Sequence, residues 1–292
     1  MKLNDYLKEA RSKGQAIGHF NFATADVAKS IVEAAKESGA SSVMLGTSEG
    51  EAEFFGMEEA VALVGALRED YDFPVFLNSD HFKSFEMCKA AVDSGYDSIL
   101  IDGSKLSFDQ NVALTKKVVE YAKSVNPETR PNGSSGRISV EGELGYLRGS
   151  SEIQRKVEIT LEDYTKPEEA KSFVEQTGID RLAVVFGNIH GIVTEQEEKL
   201  DINRLKEIVA ALPEVYLVLH GASGLKDEDV RAAIKAGIVN VHFNTELRVA
   251  YHDALEKMME AKPEETTPYK YLGPAAEEVK KVVSQKIKLF LG

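Results

Sequence analysis

Three histidines close apolar runs of the chain: His81 in PVFLNSDHF, His190 in RLAVVFGNIHG and His220 in VYLVLHGASG. A neutral imidazole is a good ligand for a borderline metal such as zinc, and three of them leave a coordination position open for substrate. Acidic side chains close neighbouring runs in the same way, namely Asp80 beside His81, Asp102 in SILIDG, and Glu141 and Glu143 in VEGELG. Metal ligands and carboxylates gathered on one face suit a metal-assisted reaction in which a carboxylate moves a proton. The turn Gly221–Gly224, and a helix starting after Thr245, can offer backbone N–H groups to a small anion such as a phosphate.

Such residues meet only if the runs that carry them end at the same place. Eight short, continuously apolar runs, at 16–21, 41–48, 74–80, 97–103, 138–145, 180–188, 215–221 and 238–244, alternate with stretches of helical period. Continuous rather than alternating apolar strands indicate a parallel sheet covered on both faces. No Pro/Gly-rich linker divides the 292 residues. An open, doubly wound sheet is the alternative, but eight regularly spaced strands favour closure. The expectation is a single α/β domain, a (β/α)8 TIM barrel over 1–292 with a helical C-terminal tail, whose C-terminal strand ends converge on one face. Three segments read as inserted loops, at 127–137, 145–167 and 194–201, and the latter two follow strands and so belong to the catalytic face.

Composition excludes several function classes. A formal charge of −13 argues against non-specific nucleic-acid binding, which neutralises phosphates with basic patches. Cys88 is the only cysteine, so neither an intrachain disulfide nor a thiolate zinc cluster forms. No run approaches the ~20 apolar residues of a membrane span. The N-terminal MKLNDYLKEARSKG is amphipathic without a signal-peptide core, and a cytoplasmic protein is expected.

The segments NSDHF, LIDGS, VEGELG, GNIHG, LHGASGL and NTELR resemble, in order and spacing, motifs of the class II (zinc-dependent) fructose-bisphosphate and tagatose-bisphosphate aldolases, from about Gly18 to Arg248. The resemblance implies that His81, His190 and His220 hold a catalytic Zn2+. It implies that Asp80 exchanges a proton with the C4 oxygen, and that Asp102 and Glu143 ligate a second or resting metal position. A second divalent or a monovalent cation belongs to the same expectation. Gly191, Gly221, Ser223, Asn244 and Thr245 match residues that hold dihydroxyacetone phosphate, and Ser48 a serine near the other end of the substrate. Fructose 1,6-bisphosphate, cleaved to dihydroxyacetone phosphate and glyceraldehyde 3-phosphate, is the implied reaction, and a homodimer or homotetramer the implied assembly. The residues agree independently. A metal removes the need for a lysine Schiff base, and no lysine ends an expected strand.

Five positions depart from the family pattern. Asn78 stands where the strand-3 motif begins with His. The strand-8 motif reads His242-Phe243-Asn244-Thr245. Thr194 and acidic residues follow GNIHGIV where a phosphate lysine is usual. Ser151, with Glu152 next to it, replaces a loop glutamate. Finally, FNxxN reads Phe20-Asn21-Phe22-Ala23-Thr24. None removes a metal ligand, whereas several bear on substrate. His242 is either a substrate contact or support for a ligand, Glu141 a partner inside the barrel. Two other readings stand beside the aldolase. One is a metal-dependent hydrolase, although strand 1 supplies only His19 of the expected HxH. The other is a non-catalytic sugar-phosphate binder.

Overall fold

The computed structural model describes residues 2–126 and 136–292, so most of the expected loop at 127–137 lies outside the described residues. Eight parallel strands close a barrel: β1 (Ile17–Asn21), β2 (Val43–Ser48), β3 (Val75–Phe82), β4 (Ser98–Ile101), β5 (Ser139–Leu144), β7 (Arg181–Val184), β9 (Tyr216–Leu219) and β10 (Ile238–Phe243). In space their order is β1-β10-β9-β7-β5-β4-β3-β2. Their side chains are buried almost throughout, as strands covered on both faces require. The amphipathic helix α1 (Leu3–Lys13) lays Leu3, Leu7 and Ala10 on Ile17, Met44, Phe76 and Val239, and so covers the N-terminal mouth. At the other end of the chain α10 (Thr245–Ala261) and α11 (Pro268–Leu291) pack together, and α11 also covers α2 (Ala25–Glu37) and β1.

Two expectations need correction. The run at 180–188 forms strand only as far as Val184, and His190 does not end it. The chain turns through Gly187, at φ 115°, and His190 opens a separate strand, β8 (His190–Val193). The segment at 145–167 is likewise more than a loop. It contains β6 (Gly149–Gln154), which pairs in parallel with β8 as a two-stranded flap. The sequence GSSEIQ hid this strand because it is largely exposed and carries one apolar side chain.

Candidate active site

Neighbouring residues on a strand point to opposite faces, so Asp80 and His81 should not share a site. Strand β3 breaks that rule where it matters. Its register with β4 shifts between Ser79 and Phe82, and His81 adopts φ 53°, in the left-handed region. A bulge of this kind re-aims a side chain. Asp80 and His81 consequently line one cavity together with His190, Gly191, His220, Gly221, Ser223, His242, Asn244 and Thr245.

The imidazoles are oriented from outside the cavity. His220 donates Nε2–H to Glu141 Oε1 at 2.8 Å, which leaves Nδ1 bare. His81 Nδ1 sits 3.1 Å from both Asp102 and Glu143 and donates there, which leaves Nε2 facing His220. His81 Nε2 and His220 Nδ1 face each other at 2.9 Å, a hydrogen-bond distance. A proton on His81 Nε2 donated to His220 Nδ1 satisfies the pair, and a metal that bound both nitrogens would displace that proton. Carboxylates that fix a ligating histidine's tautomer are the usual outer layer of a metal centre. Burial lowers the pKa of His81, but Glu143, Asp80 and Asp102 outweigh burial and hold it well above the ordinary histidine value. That balance shows how strongly the pocket favours positive charge. His190 stacks 5.0 Å from His81 between ring centroids, and burial together with His81 pushes its pKa down to about 3. It is therefore a neutral imidazole. Ligand atoms of Asp80, His81 and His220 lie within 4.8 Å of one another, as do those of His81, Asp102 and Glu143, while His190 belongs to neither group.

Behind the histidines lies a buried polar network centred on Arg181, which is 0% exposed. Its guanidinium meets Glu141 at 2.8 Å, Asn240 Oδ1 at 2.8 Å and Asn78 Oδ1 at 3.0 Å, and also Ser98. Burial raises the Glu141 pKa, but Arg181 and the His220 hydrogen bond overcome it and keep the carboxyl ionised. Asn78, in a position the sequence marked as a departure, turns its amide to His19 Nε2 at 3.0 Å. Gly46 makes room for that ring, since a Cβ there would lie 2.2 Å from His19 Cε1.

His242 belongs to the same layer. Its ring stacks between His19 (3.6 Å) and His220 (4.2 Å). Asn240 spends Nδ2 on Ile17 O and turns Oδ1 to Arg181, with His242 Nε2 3.1 Å from the same oxygen. His242 Nδ1 then rests 3.3 Å from Asp80 Oδ1, and Asn21 Nδ2 donates to Asp80 Oδ2 at 2.9 Å. Burial raises the Asp80 pKa, but His81, His242 and His19 hold it well below the usual carboxylate range. An ionised, hydrogen-bonded carboxylate beside the histidines can accept a proton.

Gly191, Gly221, Ser223 and Thr245 form the opposite wall, at the start of α10. Gly221 adopts φ 64°, and a Cβ there would meet Ile189 O at 2.1 Å, so glycine alone fits. Ser151 reaches this wall from the flap, 3.1 Å from Thr245 Oγ1, while Glu152 is exposed. Thr194 bonds the Gln154 carbonyl at 3.2 Å, on the outer side of the flap. Ser48 pairs in register with Asp80, but its hydroxyl caps α3 (Glu49–Phe55) in a capping box with Glu51, and it does not line the histidine cavity. Arg181 and Asn240 escaped sequence reasoning. The available signal was a charged residue opening the otherwise apolar run RLAVV.

Comparison with known proteins agrees with this geometry. The family model described as fructose-bisphosphate aldolase class-II matches residues 1–291. A fructose-bisphosphate aldolase of Staphylococcus aureus (strain Mu50) is 37% identical over 295 residues, covering 99% of this chain and 96% of that protein. A probable fructose-bisphosphate aldolase of Bacillus subtilis (strain 168) is 36% identical over 297 residues, with 99% and 97% covered. Among solved structures, the YdjI aldolase of Escherichia coli K12 superposes with TM-score 0.80 at 30% identity, covering 99% of this chain and 96% of that one. A putative fructose-1,6-biphosphate aldolase of Coccidioides immitis superposes with TM-score 0.82 at 26% identity, with 99% and 96% covered. With its barrel, its histidine-lined mouth and a match along its whole length, the chain belongs to the class II fructose-bisphosphate aldolase family and is an aldolase, a lyase.

Proposed function

We propose that the chain catalyses zinc-dependent, reversible cleavage of a ketose phosphate into dihydroxyacetone phosphate and an aldehyde, with His81, His190 and His220 as the metal ligands. The observation that carries this reading is the pair of cavity-facing nitrogens, His81 Nε2 and His220 Nδ1, 2.9 Å apart, with each ring oriented by a carboxylate behind it. Three imidazoles, each neutral once it ligates, suit zinc, which would supply Lewis acidity for charge developing on the ketose oxygens. Asp102 and Glu143, beside His81, are the candidates for an alternative cation position.

The chain's own residues account for the remaining steps. Gly191, Gly221, Ser223 and Thr245 would bind the phosphate of the ketone half through backbone and hydroxyl donors at the start of α10. Asp80 takes the proton of the C4 hydroxyl as the C3–C4 bond breaks. The bonding pair stays on C3, the C4 oxygen becomes the aldehyde carbonyl, and a proton returned to C3 completes dihydroxyacetone phosphate. His242 and Asn21 hold both Asp80 oxygens and so fix the direction of proton transfer. The hydrolase reading has less support, since Asn21 stands where β1 would need a second histidine two residues after His19.

The test is release of dihydroxyacetone phosphate, coupled to NADH oxidation, from fructose and tagatose phosphates. Chelation should abolish it and zinc restore it. Asp80→Ala should keep its zinc while kcat falls about 10²–10⁴-fold. Activity that survives complete metal removal would refute the mechanism.

A further inference from the structure

The histidine cavity does not end at Asp80. Through Asn21 and Asn244 it adjoins a second cleft lined by Phe22, Thr24, Glu51, Arg248 and Tyr251. Given the aldolase reading, on which this inference rests, the ketone phosphate lies at Gly221 and Thr245, and Asp80 serves the C4 hydroxyl. The aldehyde half therefore extends past Asp80, toward Asn21 and Glu51.

That end of the cavity presents acceptors. Asn21 Nδ2 is spent on two carboxylates, Glu51 Oε2 at 2.8 Å and Asp80 Oδ2 at 2.9 Å, which fixes the amide and turns Oδ1 away from them. Asn21 is 3% exposed, and its Oδ1 is buried without a partner. Asn244 repeats the pattern, with Nδ2 directed at Glu51 Oε1 (3.4 Å) and Oδ1 buried without a partner. Glu51 Oε2 accepts from Ser48 N at 2.7 Å, but Oε1 has only that long contact. Among the described residues no lysine or arginine pairs with Glu51. The cleft's lining cation, Arg248, turns Nη2 to Ser151 Oγ (3.4 Å), back toward Thr245.

We infer that the acceptor end of the pocket, built from Glu51, Asn21 and Asn244, reads hydroxyl groups and rejects a second phosphate, so that the preferred substrate is a ketose 1-phosphate and the aldehyde product is an unphosphorylated hydroxyaldehyde. A sugar hydroxyl donates, and Glu51 Oε1, which has only the long Asn244 contact, is an acceptor that suits it. A terminal phosphate is a dianion with acceptor oxygens only, and here it would meet a carboxylate in a partly desolvated cleft. The capping box ties Glu51 to the start of α3, so the carboxylate is held in place before substrate arrives. Burial, against hydrogen bonds from Ser48 and Asn21, raises its pKa, and nearby Asp80 adds to the rise. A negative charge brought beside it is correspondingly disfavoured.

The experiment compares kcat/KM of the zinc-loaded enzyme for matched pairs, fructose 1-phosphate with fructose 1,6-bisphosphate and tagatose 1-phosphate with tagatose 1,6-bisphosphate. The wild type should prefer the monophosphate at least about tenfold in the pair whose C4 configuration it accepts. Glu51→Gln retains an acceptor for Ser48 N, and should shrink that preference at least about fivefold, chiefly through a lower KM for the bisphosphate. A residue that only caps α3 would shift both substrates alike and leave the ratio unchanged. A wild-type preference for the bisphosphate overturns the inference while the aldolase reading survives, and so does an unchanged ratio in Glu51→Gln. If that variant does not fold, the wild-type ratio decides alone. Failure of the zinc-loaded enzyme to release dihydroxyacetone phosphate from any of the four overturns the aldolase reading, and the inference with it.

Discussion

Glu141→Gln separates the charge behind the metal site from its shape. Glu141 and Arg181 are both 0% exposed and 2.8 Å apart, and Glu141 also accepts His220 Nε2–H at 2.8 Å. Glutamine is isosteric and still accepts that hydrogen bond, so His220 keeps its tautomer. What disappears is the anion 2.8 Å from a buried guanidinium. Breaking a buried pair from one side costs about 3–5 kcal/mol, because the remaining charge is uncompensated. Arg181 retains Asn240, Asn78 and Ser98 as neutral acceptors, which places the loss near the lower end, at about 3 kcal/mol. For a chain of this size that is about 6–12 °C in the melting temperature of the metal-free protein. Removing the anion behind His220 also makes it a poorer donor to a metal, by about 10–100-fold in affinity. Melting of chelated protein by calorimetry, with zinc affinity from competition against a chelating dye, reads both quantities. A melting temperature within about 1 °C of wild type, with unchanged zinc affinity, would refute the reasoning. Arg181→Met should cost at least as much alone, and the double variant less than the sum of the singles.

Two further outcomes follow from residues packed beside the His190 segment. Burial pushes the Glu198 pKa up to about 8, although its carboxylate accepts from Ile189 N at 2.6 Å. Between the unfolded value of about 4.3 and that folded value, the folded chain binds the extra proton, so stability falls as pH rises through this window. Glu198→Gln should match wild type near pH 4 and exceed it by about 1–3 kcal/mol at pH 8.5, read by thermal melts across pH, and a pH-independent gap would count against this account. Gly221→Ala forces a Cβ to 2.1 Å from Ile189 O at φ 64°. It should lower stability by about 1–3 kcal/mol and, by displacing the His190 segment, weaken zinc binding at least about tenfold, measured by the same dye competition.

The barrel was legible in the sequence because its evidence is local. Continuous apolar strands, separated by helical periods, need no tertiary information to be recognised, and each of the eight expected runs overlaps one of the eight barrel strands. The titratable residues ending those runs were legible for the same reason, since strand ends of a parallel barrel converge. Flap strand β6 was not legible, because an exposed strand carries no apolar signal.

What the sequence alone determined was which residue types arrive at one mouth. How they face each other is a matter of backbone geometry and of partners far along the chain. Only the bulge at His81 turns two adjacent residues into one site, against the alternation a strand imposes. His190 reaches His81 by way of a flap rather than a barrel strand. Glu51 looks like an ordinary helix cap, and becomes part of the cavity only because Asn21 and Asn244 are bonded to it across the mouth. Arg181 acts on His220 through Glu141 although 39 residues separate it from the histidine. Local pattern fixes periodicity and burial, whereas tautomers, charge compensation and the acceptor character of a wall depend on contacts between residues distant in the chain, which no local pattern encodes.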